Sequence, residues 1–190
     1  MRKSICHLFV ATFLCLSGVG RAEAQLGPIL DWIHKLSGPG IMQAGLTGSF
    51  PVWTSPTNGV VARMRFSGML GSAIDKSEEV APPGGDIFLV TGQVILELDL
   101  AGGVVSTGVG VMAHVFFGDV DTFVKPAIIP ARLLIRPFRK KRVLRGLTFG
   151  PSAYYYPKWS ADDFEPLTVV VSETSGEWTW GLLLSYEFGL

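Results

Sequence analysis

The stretch that decides the fold is Phe88-Leu89-Val90-Thr91-Gly92-Gln93-Val94-Ile95-Leu96-Glu97-Leu98-Asp99-Leu100. Phe88, Val90, Val94, Leu96, Leu98 and Leu100 share one parity, interrupted only by Gly92, while Thr91, Gln93, Ile95, Glu97 and Asp99 share the other. Side chains alternate across a strand, so a period of two marks an extended segment with one apolar face. Forward of it, Gly102-Gly103 reads as a tight two-residue hairpin turn. Beyond the turn, Val105, Thr107, Val109, Val111, Ala113, Val115 and Phe117 alternate with Ser106, Gly108, Gly110, Met112, His114 and Phe116.

The same period runs through most of the chain. Backward, Met42, Ala44, Leu46, Gly48, Phe50 and Val52 oppose Gln43, Gly45, Thr47 and Ser49. Ala62, Met64, Phe66 and Leu70 oppose Arg63, Arg65 and Ser67. Forward, Ile129, Ala131, Leu133 and Ile135 oppose Pro130, Arg132, Leu134 and Arg136, and a charged turn follows at Arg139-Lys140-Lys141-Arg142. Residues 143–156 form a weaker strand, 167–172 a short β-branched one, and Trp178 to Leu190 closes the chain with Trp178, Trp180, Leu182, Leu184, Tyr186, Phe188 and Leu190 on one face. The expectation is all-β: an antiparallel, up-and-down transmembrane β-barrel of about eight strands over 41–190, each long enough for a tilted membrane crossing.

Before the barrel stand two other segments. Arg2 and Lys3, the apolar stretch Ile5 to Gly20 and the A-x-A site Ala22-Glu23-Ala24 compose a secretory signal peptide over 1–24, cleaved after Ala24. Both cysteines, Cys6 and Cys15, leave with it, so the mature chain of 166 residues (190 minus 24) has no disulfide and no cysteine metal site. Residues 25–40 read as a short amphipathic helix and linker. Pro28 suits a helix start and Gly38 a helix end, Ile29, Trp32, Ile33 and Leu36 fall on one side, and Asp31, His34 and Lys35 on the other.

Which face meets water separates a membrane barrel from a soluble, lipocalin-like one. A water-facing side would carry Lys and Glu, yet here it carries mainly Gly, Ser, Thr and Gln, and the mature lysines, at 35, 76, 125, 140, 141 and 158, fall outside the strands as drawn. Mean hydropathy is +0.38, yet the mature chain has no apolar run long enough for a spanning helix. In lipid, strands span only as a closed barrel. Turning Arg63 and Arg65 outward would cost ~2–4 kcal/mol each near the bilayer midplane, so the apolar side faces out. Trp53, Tyr154, Tyr155, Trp159 and Trp178 near strand ends are consistent with interfacial girdles. One consequence conflicts with the usual pattern. With both termini inside, this strand assignment puts the shortest connection, 102–103, outside, where long loops belong.

On these residues the chain resembles small bacterial outer-membrane β-barrel proteins over the signal peptide and 41–190. Thr179, Gly181, Leu184 and Tyr186 resemble the polar-x-Gly-x-x-hydrophobic-x-hydrophobic signal read by the barrel assembly machinery, although the chain ends Phe188-Gly189-Leu190 rather than on Phe. The resemblance implies outer-membrane location, contact with outer-membrane lipid or lipopolysaccharide, and that machinery as a partner in biogenesis.

The inward faces collect Arg63, Arg65, Gln93, Glu97, Asp99, His114, Arg132, Arg136 and Glu187, which read as a lumenal ion-pair network with four Arg against three acids. A narrow barrel so filled conducts poorly, if at all. No catalytic constellation is evident. His114 is the weak candidate for a membrane-embedded lipid hydrolase, but Ser106, on its face, lies ~27 Å along the strand. No metal-ligand spacing occurs, no cofactor is implied, and a formal net charge of +0 speaks against nucleic acid. The basic run 139–142 suits anionic lipid or lipopolysaccharide phosphates, and the acidic loops 75–79 and 162–165 suit solvent or cations. The expected role is structural, interactive or limited small-solute transport. The lipid-modifying hydrolase and the soluble periplasmic binding barrel are the alternatives.

Overall fold

The computed structural model describes residues 24–34, 40–74, 86–118, 122–138, 140–141, 143–158 and 176–189. Eight antiparallel strands follow one another: β1 (Gln25–Ile33), β2 (Gly40–Thr54), β3 (Val61–Ile74), β4 (Ile87–Leu100), β5 (Val105–Gly118), β6 (Phe123–Ile135), β7 (Leu147–Tyr156) and β8 (Glu177–Tyr186), the last continued past Glu187 by a short β9 (Phe188–Gly189). Each strand pairs with the next, and β1 pairs with both β2 and β8, so the sheet closes on itself. Closure leaves no unpaired edge. The fold is therefore the all-β, up-and-down barrel that the alternation implies.

Residues 25–33 correct the helical reading. They form β1, in register with β2 from Gln25↔Ser49 to Ile33↔Ile41. Ile29, Asp31 and Ile33 point in, while Leu26 and Leu30 point out. Ile29, Trp32 and Ile33 satisfy a helical template, but Leu26-Pro28-Leu30-Trp32 against Gly27-Ile29-Asp31-Ile33 satisfies a period of two equally well. The deciding force is not local. Without β1, β2 and β8 would each present an open ladder, and the paired backbone of a closed barrel outweighs local helix preference. Residues 35–39, which include the expected helix end, and the expected strand 167–172 lie outside the described residues.

Beginning the barrel one strand earlier also removes the orientation conflict. The connections 55–60, 101–104 and 136–146 now share an end with the chain termini, and 34–39, 75–86, 119–122 and 157–176 occupy the other. The two longest connections, 75–86 and 157–176, lie opposite the termini, the usual side for long loops in this architecture. The β4–β5 turn has four residues rather than two, because Leu100 pairs with Val105. Ala101, Gly102 and Gly103 all adopt positive φ there, which explains the two glycines.

Two further corrections concern β6. It begins at Phe123 and so includes Lys125, the one lysine placed within a strand among the described residues. Its register slips between Ile128 and Ala131, around Pro130. Ile129 therefore faces inward, fully buried, while Ala131, Leu133 and Ile135 face out. Proline cannot donate to a ladder, so a break falls naturally at that residue.

The packing is inverted relative to a water-soluble domain. Leu70 is 66% exposed and Val111 57%, whereas Arg65, Asp31 and Glu97 are 0% exposed. In β4 the pattern is strict: each residue from Ile87 to Leu100 alternates buried and exposed. Apolar side chains clothe the outside and charged ones fill the inside.

Candidate functional site

Among the described residues, chemistry-bearing side chains converge in the lumen, and its contents are stratified along the barrel axis. At the terminus end lies an ionic cluster. The Arg63 Nε donates to Asp99 Oδ2 at 2.7 Å, and Arg136 Nη1 approaches the same oxygen at 3.3 Å. Ser106 Oγ donates to Asp99 Oδ1 at 2.6 Å. Arg65 grips Glu97 with two prongs, Nε to Oε1 at 2.7 Å and Nη2 to Oε2 at 2.9 Å. Its Nη1 donates to Glu187 and to Thr47 Oγ1, the latter at 3.2 Å. Arg136 Nη2 stands 3.8 Å from Glu187 Oε2, an ion-pair contact beyond hydrogen-bond reach. Planar guanidinium forks suit such shared, bidentate bonding better than lysine would.

Near mid-height, Asp31 accepts from four neighbouring contacts: Gln43 Nε2 and Gln93 Nε2, each at 3.2 Å to Oδ2, and the Tyr154 hydroxyl at 2.9 Å to both oxygens. Arg132 joins through Gln93, donating to its Oε1 at 3.1 Å, and donates to Ser152 Oγ at 2.9 Å. A buried carboxylate in this position needs such a set of donors, because its desolvation is otherwise uncompensated.

Toward the loop end the lumen turns apolar. Ile33, Ile41, Leu89, Ile129, Phe116 and Tyr156 pack in one cluster. His114 sits within it, with Nδ1 at 2.6 Å from Thr91 Oγ1 and Nε2 at 2.9 Å from the Tyr156 hydroxyl. A neutral imidazole has one donor and one acceptor nitrogen, which two hydroxyls satisfy. Lys125 Nζ lies over the Tyr156 ring, 4.9 Å from its centroid.

All nine residues expected in the lumen, Arg63, Arg65, Gln93, Glu97, Asp99, His114, Arg132, Arg136 and Glu187, are inward and buried. Eight of them join the charged and amide network, while His114 belongs to the separate hydroxyl chain described above. Asp31, Gln43, Tyr154 and Lys125 went unread as site residues. Asp31 was hidden by the helical period, and it supplies the missing charge: four Arg face four acids, Asp31, Glu97, Asp99 and Glu187. For His114 the hydroxyls within reach are those of Thr91 and Tyr156, and Ser106 is engaged by Asp99 instead. Among the described residues no group of three His, Cys, Asp or Glu converges as metal ligands.

Outside the barrel, aromatic side chains gather near the loop end. Trp180 stacks on His34 and meets Trp32 edge-on at 5.2 Å, and Tyr155 lies 4.9 Å from Trp178. Trp53 and Phe188 are exposed near the terminus end. A small closed barrel with an apolar exterior bounded by aromatic side chains and an ion-paired interior has the architecture of a membrane-spanning β-barrel. Searches against family models and against curated proteins find no match. Among solved structures, Ail, the attachment invasion locus protein of Yersinia pestis, in complex with the heparin analogue sucrose octasulfate, is similar at 14% identity and a TM-score of 0.43, over 88% of this chain and 97% of that one. A second structure of Ail aligns over the same shares at 11% identity and a TM-score of 0.40.

Proposed function

We propose that this protein is an exported outer-membrane β-barrel that serves as a closed membrane anchor, with a structural or interaction role carried by the loops opposite its termini. The inverted packing carries the reading. An exterior of exposed Leu, Val, Phe and Trp from every strand would form one apolar patch far larger than the few hundred Å² a soluble monomer tolerates, whereas in lipid it is the favoured surface. This favours the membrane over the soluble, ligand-binding barrel.

The filled lumen argues for an anchor over a conduit. Arg65 with Glu187, Arg132 with Gln93, and Gln93 with Asp31 join strands that are not neighbours, so they cross the lumen a solute would use. The hydrolase reading loses support for a similar reason: His114 is fully buried, and both ring nitrogens are already paired. The leader over 1–24, with cleavage after Ala24, delivers the chain for export, and the barrel assembly machinery inserts it. The connections opposite the termini, 34–39, 75–86, 119–122 and 157–176, are acidic in sequence, with ten Asp and Glu against three Lys.

Membrane fractionation with heat-modifiable gel migration tests the reading. The expected result is an outer-membrane protein with a faster-migrating unheated form, and recovery in the soluble periplasmic fraction would overturn it. In planar bilayers the folded barrel is expected to add no steady conductance.

A further inference from the structure

The terminus end carries a surface that the anchoring role does not absorb. In sequence the 136–146 connection has no Asp or Glu, and its described cations beyond the lumenal Arg136 are Lys140, Lys141 and Arg145. Lys140, Lys141 and Arg145 are exposed. Exposed Phe138 precedes them, and exposed Val143 and Leu144 lie between Lys141 and Arg145, Val143 at 75% exposure. Lys141 N donates to Phe138 O at 2.8 Å and Leu144 N to Lys141 O at 3.0 Å within the turn, and Glu187 N to Gly146 O at 3.0 Å and the Tyr186 hydroxyl to Val143 O tie it to the end of β8. Cations interleaved with apolar side chains on an anchored turn match a headgroup region that offers phosphates beside acyl chains.

We propose that this turn docks the phosphate headgroups of anionic glycerophospholipids in the leaflet on the terminus side. The inference rests on the membrane-barrel reading. The leaflet follows from topology: short turns and termini face the periplasm, and long loops face outward. The connections on the outward side are acidic in sequence, a charge that disfavours lipopolysaccharide phosphates there.

The test mixes the mature chain, refolded in neutral detergent, with equimolar phosphatidylglycerol and phosphatidylcholine, and counts retained lipid by native mass spectrometry. The wild type is expected to favour phosphatidylglycerol by ~5-fold or more, the effect of at least one surface cation. The preference should fall toward parity in Lys140→Gln/Lys141→Gln/Arg145→Gln and in high salt. Parity in the wild type, or a preference that the variant and salt leave intact, overturns the proposal. So does, in a parallel equimolar mixture of lipid A and phosphatidylglycerol, a preference for lipid A that the variant abolishes. Unheated gel mobility of each sample reports folding. Should the triple variant not fold, Arg145→Gln and the wild-type salt series decide. A wild type that forms no barrel in detergent counts against the membrane reading itself.

Discussion

Arg65 is the keystone of the lumenal plug, and replacing it with methionine makes a sharp prediction. The side chain is fully buried and contacts two carboxylates, Glu97 through two hydrogen bonds and Glu187 through one. At an effective dielectric constant of 20, each such pairing is worth ~4 kcal/mol in gross attraction, and the desolvation of three ions offsets much of the sum. Arg65→Met removes the attraction but leaves both carboxylates buried. Glu187 keeps Arg136 at 3.8 Å, whereas Glu97 loses its ion pair with Arg65. The expected loss is ~3–5 kcal/mol, the usual cost of breaking a buried pair from one side. Equilibrium urea unfolding in phosphatidylcholine vesicles, followed by tryptophan fluorescence, measures it. Removing the stranded acids as well, in Arg65→Met/Glu97→Leu/Glu187→Met, is expected to recover most of the loss. A single-variant loss under ~1 kcal/mol, the scale of an exposed pair, would refute the reasoning. A triple variant no better than the single would do the same.

Two other perturbations probe the barrel's closure. Asp31→Ala strands the Tyr154 hydroxyl and two glutamine amides and unbalances the lumenal charge, so a loss of ~3 kcal/mol or more is expected in the same unfolding assay; an Asp on the wet face of a helix would matter by only ~0.5 kcal/mol. A Cβ added at Gly181 meets Trp32 O at 2.4 Å across the β1–β8 seam, while one at Gly92 meets nothing within 4 Å. Gly181→Ala is therefore expected to lower the temperature at which the compact gel band is lost, by a ~1–3 kcal/mol overpacking penalty, and Gly92→Ala to leave it unchanged or raise it.

Much of this fold is legible in the residues because a barrel between lipid and a filled lumen imposes one rule on every strand. Where that rule acts alone, as from Phe88 to Leu100 or from Trp178 to Glu187, parity assigns each side chain to its face. It fails where another pattern fits as well. In Gln25–Ile33 the helical and extended templates share Ile29, Trp32 and Ile33, and only the need of β2 and β8 for a partner decides between them. That single misreading hides Asp31, inverts the sidedness of the loops and leaves the lumenal charge uneven. The Pro130 irregularity shifts Ile129 by one face, because a bulge breaks the count on which parity depends. Contacts such as Arg65 with Glu187, or His114 with Tyr156, join residues far apart in the chain, and no spacing announces them.

The orientation of the apolar parity toward lipid can be measured directly. Because residues 25–190 contain no cysteine, single cysteines placed in that segment at successive β4 positions from Phe88 to Leu98 can each carry a spin label without background. Labels at Val90, Val94, Leu96 and Leu98 in the vesicle-inserted protein are expected to collide with dissolved oxygen and to be shielded from a water-soluble nickel chelate. Labels at Gln93 and Ile95 should be reached poorly by either. Free access of the nickel chelate to the Val90–Leu98 parity would contradict the account, since it would put water where the barrel should meet acyl chains.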